Sequence, residues 1–416
     1  MTQTVTVNDR SYNFPKAPTV IVCVDGSEPG GEGSDGGGYI EKAIEAGLMP
    51  LMASAQERGT FEIAECVIPS FTNPNNLSIV TGRPPAVHGI CGNFYYDTAS
   101  GNEVMMNDPQ LLRCGTIFEA FQKEGATVAL VTAKDKLRRL LGHGVSMSPG
   151  KAVCFSAEKA NEATLAEHGI SDVVERVGMP VPNVYSAELS EFVFAAGVAL
   201  MEEMRPDIMY LSTTDYIQHK HAPGTPVANE FYAMMDRYLS ALDKAGAVIA
   251  LTADHGMKAK FDDENQPNVI YLDPLLESKQ IQNFRVILPI TDPYVVHHGA
   301  LGGFATIYVE DQYIDLLVKE LPKTTGIECV LRKDEACERF GLPGDRIGDV
   351  VVISKAGYVV GSAPSKHDLS GLKEPLRSHG GISEQKVPFI LNRPLTVPVD
   401  SGIRNFDIFD YALNRV

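Results

Sequence analysis

Residues 19–27 read TVIVCVDGS, an unbroken apolar run from Thr19 to Val24 that gives way to a polar turn at Asp25. A strand that is apolar at every position has both faces buried, as happens in a parallel sheet covered by helices. The turn that follows begins with a carboxylate and a glycine. The stretch therefore predicts a central strand of a layered protein, with a polar side chain at its carboxyl end.

Further strand patterns alternate with helical patterns along the first 258 residues. This alternation predicts an α/β fold, a mainly parallel sheet sandwiched by helices. In such sheets, ligands bind beyond the carboxyl ends of the strands. The predicted helices are 39–46, 75–81, 116–124, 187–204 and 229–245, and the further strands are 61–67, 127–131, 208–211 and 247–251.

The pattern changes after Lys258. The strands predicted at 304–309 and 349–353 do not belong to the same long alternation, which is typical of a separate, smaller α+β unit. The segment from Arg377 to Gly381 then returns to the first unit. We predict two parts, and their bounds are 18–258 with 372–416 for the core and 259–371 for an inserted cap domain.

Composition and charge restrict the classes of function. The chain has 416 residues, a net charge of -17 and seven cysteines, none of them in a CxxC pair. An acidic chain repels nucleic-acid phosphates and anionic lipid, so we expect no nucleic-acid or membrane binding. The odd cysteine count and the lack of a signal-like apolar stretch in residues 1–18 favour a cytoplasmic protein with reduced thiols. A homodimer is compatible with the sequence, which does not determine the oligomeric state.

Polar side chains closely follow several of the predicted strands. Because the carboxyl ends of parallel strands meet at one edge of a sheet, these side chains are expected to lie together. They predict a single active site at that edge. The residues are Asp25, Thr72, Lys134, Asp215 and Asp254.

Aspartates and histidines occur at spacings that suit a metal centre. Asp215 and His219 lie four residues apart and would share one face of a helical turn. Asp254 and His255 are adjacent, and they either ligate one metal or divide their roles; alone, each pair also fits an ordinary strand-end turn. Carboxylates and neutral imidazoles are zinc-type ligands, and two zinc ions about 4 Å apart suit phosphoryl transfer. The candidate ligands are Asp25, Asp215, His219, Asp254, His255 and His379, whereas we predict that the neighbouring His221, His297 and His298 are not ligands.

The stretch PSFTNPNNLSIVTGRPPAVHGICGN, residues 69–93, and the order of the aspartates and histidines resemble the alkaline phosphatase superfamily. The closest branches are the nucleotide pyrophosphatase/phosphodiesterases and the phosphonoacetate hydrolases. The resemblance covers the core and is weak over the cap. It implies an alkaline phosphatase-like core that binds two Zn2+ per chain. It further implies that one zinc is held by Asp215, His219 and His379, and the other by Asp25, Thr72, Asp254 and His255.

Thr72 is the nucleophile that the resemblance implies. Coordination to zinc would lower the pKa of its hydroxyl, and the N–H groups of a following helical turn could bind a phosphonate oxygen. The alternative is that Thr72 only caps the helix, since threonine is favoured at that position. A sulfatase is not expected, because that branch carries cysteine or serine here.

The substrate is indicated by Asn93 and by the pair Lys134 and Lys136. The resemblance implies that Asn93 donates to a phosphoryl oxygen, that His219 also contacts substrate, and that the two lysines bind it. Two lysines at i and i+2 can face a small dianion or carboxylate; the alternative is a solvated charge cluster extended by Arg138 and Arg139.

The expected activity is hydrolysis of the C–P bond of phosphonoacetate, a small-molecule phosphonate, to acetate and phosphate through a phosphothreonine. Lysines beside the carboxylate would stabilise the charge that develops on the leaving group. One alternative is a phosphoester hydrolase of the nucleotide pyrophosphatase/phosphodiesterase type on the same two-zinc core. The second is a non-catalytic, metal-dependent binding protein.

Overall fold

The computed structural model describes residues 3–31, 33–34, 36–291, 299–370 and 372–416. Strands and helices alternate from Thr19 to Thr252, as the sequence predicts. The strands are β1 (Thr4–Val7), β2 (Arg10–Asn13), β3 (Thr19–Cys23), β4 (Thr60–Glu65), β5 (Phe94–Asp97), β6 (Asn102–Met105), β7 (Val128–Thr132), β8 (Ala152–Ser156), β9 (Ile208–Ser212), β10 (Val248–Thr252), β11 (Lys258–Ala259), β12 (Val269–Tyr271), β13 (Arg285–Ile287), β14 (Phe304–Tyr308), β15 (Ile327–Arg332), β16 (Val350–Ser354), β17 (Val359–Gly361), β18 (Arg377–Ser378) and β19 (Lys386–Leu391).

The helices are longest in the first part of the chain. They are α1 (Tyr39–Glu45), α2 (Pro50–Arg58), α3 (Thr72–Thr81), α4 (Pro85–His88), α5 (Ile117–Lys123), α6 (Asp135–Leu141), α7 (Leu165–His168), α8 (Val173–Val177), α9 (Glu188–Glu203), α10 (Pro226–Lys244), α11 (Leu272–Ser278), α12 (Asp311–Glu320), α13 (Lys333–Phe340) and α14 (Ile408–Asn414).

A seven-stranded sheet in the order β4-β19-β10-β3-β9-β7-β8 forms the centre of the protein. The run from β10 to β8 is parallel throughout, whereas β19 is antiparallel to both of its neighbours. The prediction of a mainly parallel sheet is confirmed. The carboxyl ends of β3, β9, β10 and β7 consequently lie along one edge.

Successive residues of β3 enter different cores, which explains its unbroken apolar sequence. Val20 and Val22 belong to the hydrophobic cluster that contains side chains of α1, α2, α9 and α10. Ile21 and Cys23 belong to the other cluster, with side chains of α3, α5, α6 and α14. Because side chains alternate across a strand, one continuous apolar run serves both faces of the sheet.

A second sheet, antiparallel and in the order β13-β14-β16-β15, lies in the region predicted as a cap. Its residues Phe304 and Val352 share a hydrophobic cluster with Ile21 of the central sheet, so the two sheets are joined by packing. The chain crosses between them at β11 and β18, which pair side by side. The predicted domain bounds, 259 and 371, stay predictions.

Two helices begin three residues before their predicted starts. The helix predicted from Asn75 begins at Thr72, and the one predicted from Asn229 begins at Pro226. Both contain a proline in the first turn, Pro74 and Pro226. First-turn N–H groups have no partner within a helix, so a proline is tolerated there.

In the part of the chain that the structure describes, no helix combines the length and the apolar character needed to cross a membrane. The seven cysteines are free thiols, and Cys23, Cys66, Cys91 and Cys154 are buried.

Candidate active site

The predicted site residues meet at the carboxyl edge of the central sheet. Asp25 follows β3, Asp254 follows β10, and Asp215 comes three residues after β9. All three carboxylates are buried, with exposures of 4%, 0% and 9% in that order. His379 directly follows β18. The parallel register of β3, β9 and β10 brings the three aspartates together. The strand β18, which pairs antiparallel with β11, adds His379.

Thr72 is the first residue of α3, and its hydroxyl faces the carboxylate edge. Its Oγ1 lies 3.4 Å from Nε2 of His255. The residue that caps the helix is Phe71, in an extended conformation, and no side chain makes a capping hydrogen bond. The alternative in which Thr72 serves as the helix cap is therefore wrong, because the hydroxyl is one position too late to cap.

Asp215 and His219 lie on one turn, as their spacing predicts. The His219 N–H donates to the Asp215 carbonyl at 3.0 Å, which closes the turn. Nε2 of His219 is 2.8 Å from Oδ2 of Asp215, and Nε2 of His379 is 3.7 Å from the same oxygen. These three side chains therefore form one group of possible ligands around Asp215.

His255 connects this group to the other two carboxylates. Its Nε2 lies 3.2 Å from Oδ1 of Asp25 and 3.8 Å from Oδ2 of Asp254. Its ring stacks on that of His379, with 3.6 Å between centroids. Ligand atoms close enough to share one ion occur in two sets, Asp215 with His255 and His379, and Asp25 with Asp254 and His255. The geometry brings all six predicted Asp and His residues together, and their division between two ions stays a prediction.

Backbone carbonyls orient the three imidazoles. Nδ1 of His219, His255 and His379 lies 2.7, 2.9 and 2.8 Å from the carbonyl oxygens of Arg377, Gly256 and Ser70. A carbonyl can only accept, so each Nδ1 donates, and in the neutral ring the Nε2 lone pair points at the carboxylates. Lone pairs of two acceptors then face each other, an arrangement that fits a cation between them.

The pKa values of the clustered side chains also indicate that this cluster favours positive charge. Burial, together with Asp215 and Asp254, raises the pKa of the Asp25 carboxyl well above its usual range. Burial opposes protonation of His255, but Asp254 and Asp25 outweigh it and raise its pKa to about 10. Burial and the neighbouring His255 hold the pKa of His379 well below its usual value. Positive charge at His255, whether from a proton or from a neighbouring cation, is therefore favoured by the surrounding carboxylates.

Lys134 and Lys136 face the same cavity as Thr72. Lys134 immediately precedes α6 and Lys136 lies in its first turn, and both are half-buried. The cavity measures about 90 Å³, and its lining is Asp25, Phe71, Thr72, Asn73, Asn93, Lys134, Lys136, Leu137, Thr213, Thr214, Asp215, His219, Ile290 and His379. The solvated-cluster alternative does not describe these two lysines, since they are neither exposed nor part of one patch with Arg138. Arg138 is buried and pairs with Asp135 at 2.6 Å.

Asn93 reaches the cavity from the turn that precedes β5. Its Nδ2 donates to the carbonyl of Ile290 at 3.2 Å, which fixes the amide and leaves a second hydrogen for another acceptor. Two further lining residues, Thr213 and Thr214, were not predicted. They directly follow β9, the same signal that identified Asp215, and Thr213 Oγ1 accepts from the N–H of Asp25 at 2.9 Å. Ile290 comes from the cap region and carried no sequence signal.

The remaining histidines near the site separate into two cases. His221 is absent from both possible ligand sets among the described residues, and burial lowers the pKa of its half-buried ring. His297 and His298 lie outside the described residues.

Comparisons with known proteins identify relatives over almost the full chain. The sequence model of the type I phosphodiesterase/nucleotide pyrophosphatase family matches residues 19–382. Two crystal structures of phosphonoacetate hydrolase from Sinorhizobium meliloti 1021, one in complex with phosphonoformate and one with phosphonoacetate, are similar to this chain. The sequence identity to this chain is 56% in both cases. Each covers 99% of both chains with a TM-score of 0.94.

More distant relatives share the fold. An uncharacterised pyrophosphatase/phosphodiesterase of Schizosaccharomyces pombe is 24% identical over 398 residues, or 89% of this chain and 70% of that protein. The alkaline phosphatase PafA is 15% identical and superposes with a TM-score of 0.66 over 97% of this chain and 96% of its own. The alkaline phosphatase-like fold that the sequence predicted is confirmed.

Proposed function

The chain belongs to the type I phosphodiesterase/nucleotide pyrophosphatase family, and from that premise we propose that it hydrolyses the C–P bond of phosphonoacetate to acetate and phosphate. The observation that carries the proposal is a single cavity that Lys134 and Lys136 line together with Thr72 and with the carboxylates of Asp25 and Asp215. A phosphonate that also bears a carboxylate needs cations at both of its ends. The 56% identity to phosphonoacetate hydrolase supports the same substrate.

The size of the cavity favours a small substrate. Pockets for drug-sized ligands measure about 300–1,000 Å³, whereas this cavity measures about 90 Å³. Half-buried lysines in so small a space contact whatever anion binds there. A compact ammonium with three donors suits a carboxylate as well as a phosphonyl oxygen.

The ligand set fits two zinc ions. Asp215, His219 and His379 would hold one, and the other would be held by Asp25, Thr72, Asp254 and His255. When bound, zinc supplies positive charge that lowers the pKa of a hydroxyl and neutralises phosphonyl oxygens. The fit rests on the chemistry of the donors: buried carboxylates opposite Nε2 atoms, with each Nδ1 held by a carbonyl.

Thr72 attacks phosphorus in the first step of the proposed reaction. An amide hydrogen of Asn93 holds a phosphonyl oxygen while the Thr72 hydroxyl gives its proton to solvent, a P–O bond to Oγ1 forms and the C–P bond breaks. The electron pair of that bond moves to the methylene carbon and is delocalised into the carboxylate. Lys134 and Lys136 stabilise this charge, which is larger in the transition state than in the substrate, so the contact accelerates the step.

The second step returns the enzyme to its starting state. The carbanion takes a proton from water and leaves as acetate. Water then attacks phosphorus of the phosphothreonine, and the P–O bond to Oγ1 breaks. The water oxygen stays on the phosphate that leaves, and one of the water protons goes to Oγ1 of Thr72. One water is consumed overall for each C–P bond broken.

Phosphoester hydrolysis remains the second candidate, because the family match is to phosphodiesterases. The two are separated by comparing kcat/KM for phosphonoacetate, for methylphosphonate, which lacks the carboxylate, and for bis-p-nitrophenyl phosphate. Phosphonoacetate should be preferred by several orders of magnitude. A higher kcat/KM for the diester than for phosphonoacetate would favour phosphodiesterase activity instead. Turnover of none of them, with metal bound, would favour the non-catalytic binding protein.

A further inference from the structure

Asn76 is a fully buried amide that the proposed reaction does not use directly. It lies one turn after Thr72 on α3, and its exposed fraction is 0%. Its Nδ2 donates to the carbonyl oxygen of Thr72 at 3.0 Å and to Oδ2 of Asp254 at 3.2 Å. One amide group thus joins the backbone of the nucleophile to a candidate metal ligand.

Two hydroxyls hold the other end of this amide. Oδ1 of Asn76 lies 2.8 Å from the hydroxyl of Tyr210 and 3.0 Å from Oγ of Ser212, both on β9 and both fully buried. The orientation of the amide is determined by chemistry, because a carboxylate and a carbonyl can only accept hydrogen bonds. Both amide hydrogens and both oxygen lone pairs have partners, so the group cannot rotate without losing four hydrogen bonds.

The Asp254 carboxylate is held on both of its oxygens. Oδ1 accepts from the N–H groups of Gly26 and His255, at 3.3 and 3.1 Å. Oδ2, the oxygen that faces Nε2 of His255, accepts from Asn76. A carboxylate oxygen has two lone pairs, so the Asn76 contact on one leaves the other directed at the cluster.

We propose that Asn76 is a positioning residue that fixes the separation between Thr72 at the start of α3 and Asp254 at the end of β10. It thereby presents the hydroxyl and the carboxylate to the same metal ion. The inference rests on the proposed function in one respect, namely that Asp254 ligates a metal. Partners that orient metal ligands typically change metal affinity by about 10- to 100-fold when they are removed.

The test is the zinc dissociation constant of Asn76→Ala, measured by competition with a chromogenic chelator. We expect zinc to bind about 10- to 100-fold more weakly. With zinc at saturation, kcat should fall while KM changes little, because the lysines and Asn93 are untouched. The matched control is Asn392→Ala. Nδ2 of Asn392 likewise bridges a carboxylate and a carbonyl, Asp243 Oδ1 at 2.7 Å and Ala247 O at 3.0 Å, at the opposite end of β10.

Asn392→Ala should lose stability but keep zinc affinity and kcat. If Asn76→Ala behaved in the same way, Asn76 would serve only the fold and the inference would be overturned. Tyr210→Phe keeps the packing and removes one hydroxyl that holds the amide, so it should show a smaller loss of zinc affinity in the same direction. Should Asn76→Ala not fold, unchanged affinity in Tyr210→Phe would overturn the inference. Wild-type protein that binds no zinc would overturn both this inference and the proposed function.

Discussion

At the scale of single residues, we expect turnover to depend on the hydroxyl of Thr72. It faces His255 and is not used as a helix cap. Thr72→Ala should fold and bind zinc yet lose at least about 1,000-fold in kcat, because loss of a nucleophile removes several orders of magnitude. Steady-state kinetics and metal analysis of the purified variant provide the measurement.

Thr72→Ser is the control for this prediction, since it keeps a hydroxyl at the same position. It should retain far more activity than Thr72→Ala. Wild-type turnover by Thr72→Ala would show that water attacks phosphorus directly and that no phosphothreonine forms.

The charge state of His255 makes zinc affinity depend on pH. Its pKa of about 10 in the metal-free protein means that the ring is protonated at neutral pH and must lose a proton when a metal binds. The zinc dissociation constant should therefore fall about tenfold for each pH unit between pH 7 and 9. Competition titrations at three pH values, corrected for protonation of the chelator, would measure the slope. An affinity that does not change over this range would contradict the prediction.

Lys134 and Lys136 should determine substrate preference. A lost charge-assisted hydrogen bond costs about 1.5–3 kcal/mol, or roughly 10- to 150-fold in rate. Lys134→Ala and Lys136→Ala should each lower kcat/KM for phosphonoacetate by that factor, and should lower hydrolysis of an aryl phosphate much less.

Arg139→Ala is the matched control for the lysines, because Arg139 is an exposed cation on the same helix α6. It should leave both activities unchanged. Equal losses on both substrates in the lysine variants would mean that the lysines serve the phosphoryl group or the fold.

At the scale of elements, the start of α3 and the strand β18 meet at Gly380. This glycine has a φ of 119°, and an added Cβ would lie 2.3 Å from Cε1 of Phe71, the residue that precedes Thr72. The ring of Phe71 also contacts His379 edge-on at 5.6 Å. A single methyl group at this position would therefore displace both Thr72, the proposed nucleophile, and His379, a proposed metal ligand.

Gly380→Ala should lower the free energy of unfolding by roughly 2–4 kcal/mol, from backbone strain and overpacking together. It should also weaken zinc binding. Gly402→Ala separates the two effects, because Gly402 has a φ of 72° with no atom within 4 Å of an added Cβ. That variant should lose only about 1–2 kcal/mol, with normal zinc affinity, in urea denaturation and chelator competition. Equal effects of the two variants would contradict the role given to Phe71.

At the scale of the whole molecule, bound metal should stabilise the fold. Asp25, Asp215 and Asp254 bring three buried carboxylates together, and a cation that binds only the native state shifts the unfolding equilibrium. Removing zinc with a chelator should lower Tm, and zinc at 1,000 times its Kd should restore about 4 kcal/mol. Calorimetry with and without chelator would measure this.

Asp254→Ala should show a smaller dependence of Tm on zinc than the wild type. If the wild-type protein had the same Tm with and without chelator, the prediction that bound metal stabilises the fold would be wrong.

The sequence by itself predicted the central sheet and the candidate metal ligands. The apolar run at residues 19–24 predicted a strand buried on both faces, and β3 occupies that place at the centre of the sheet. Strand ends are marked by a local change from apolar to polar residues, so Asp25, Asp215 and Asp254 were found from local pattern alone. The resemblance over residues 69–93 and in the order of the aspartates and histidines predicted the roles of Thr72, Asn93 and the candidate ligands.

Only the tertiary structure decided how these residues are oriented and supported. Several supporting groups come from elements distant in the chain. They are the carbonyls of Arg377 and Ser70 that hold Nδ1 of His219 and His379, the amide of Asn76 and the hydroxyl of Tyr210. The start of α3 also lies at Thr72, three residues before the start that the sequence predicted. Contacts between distant segments depend on strand order and packing, which no local periodicity encodes, and hydrogen-bond partners follow from those contacts.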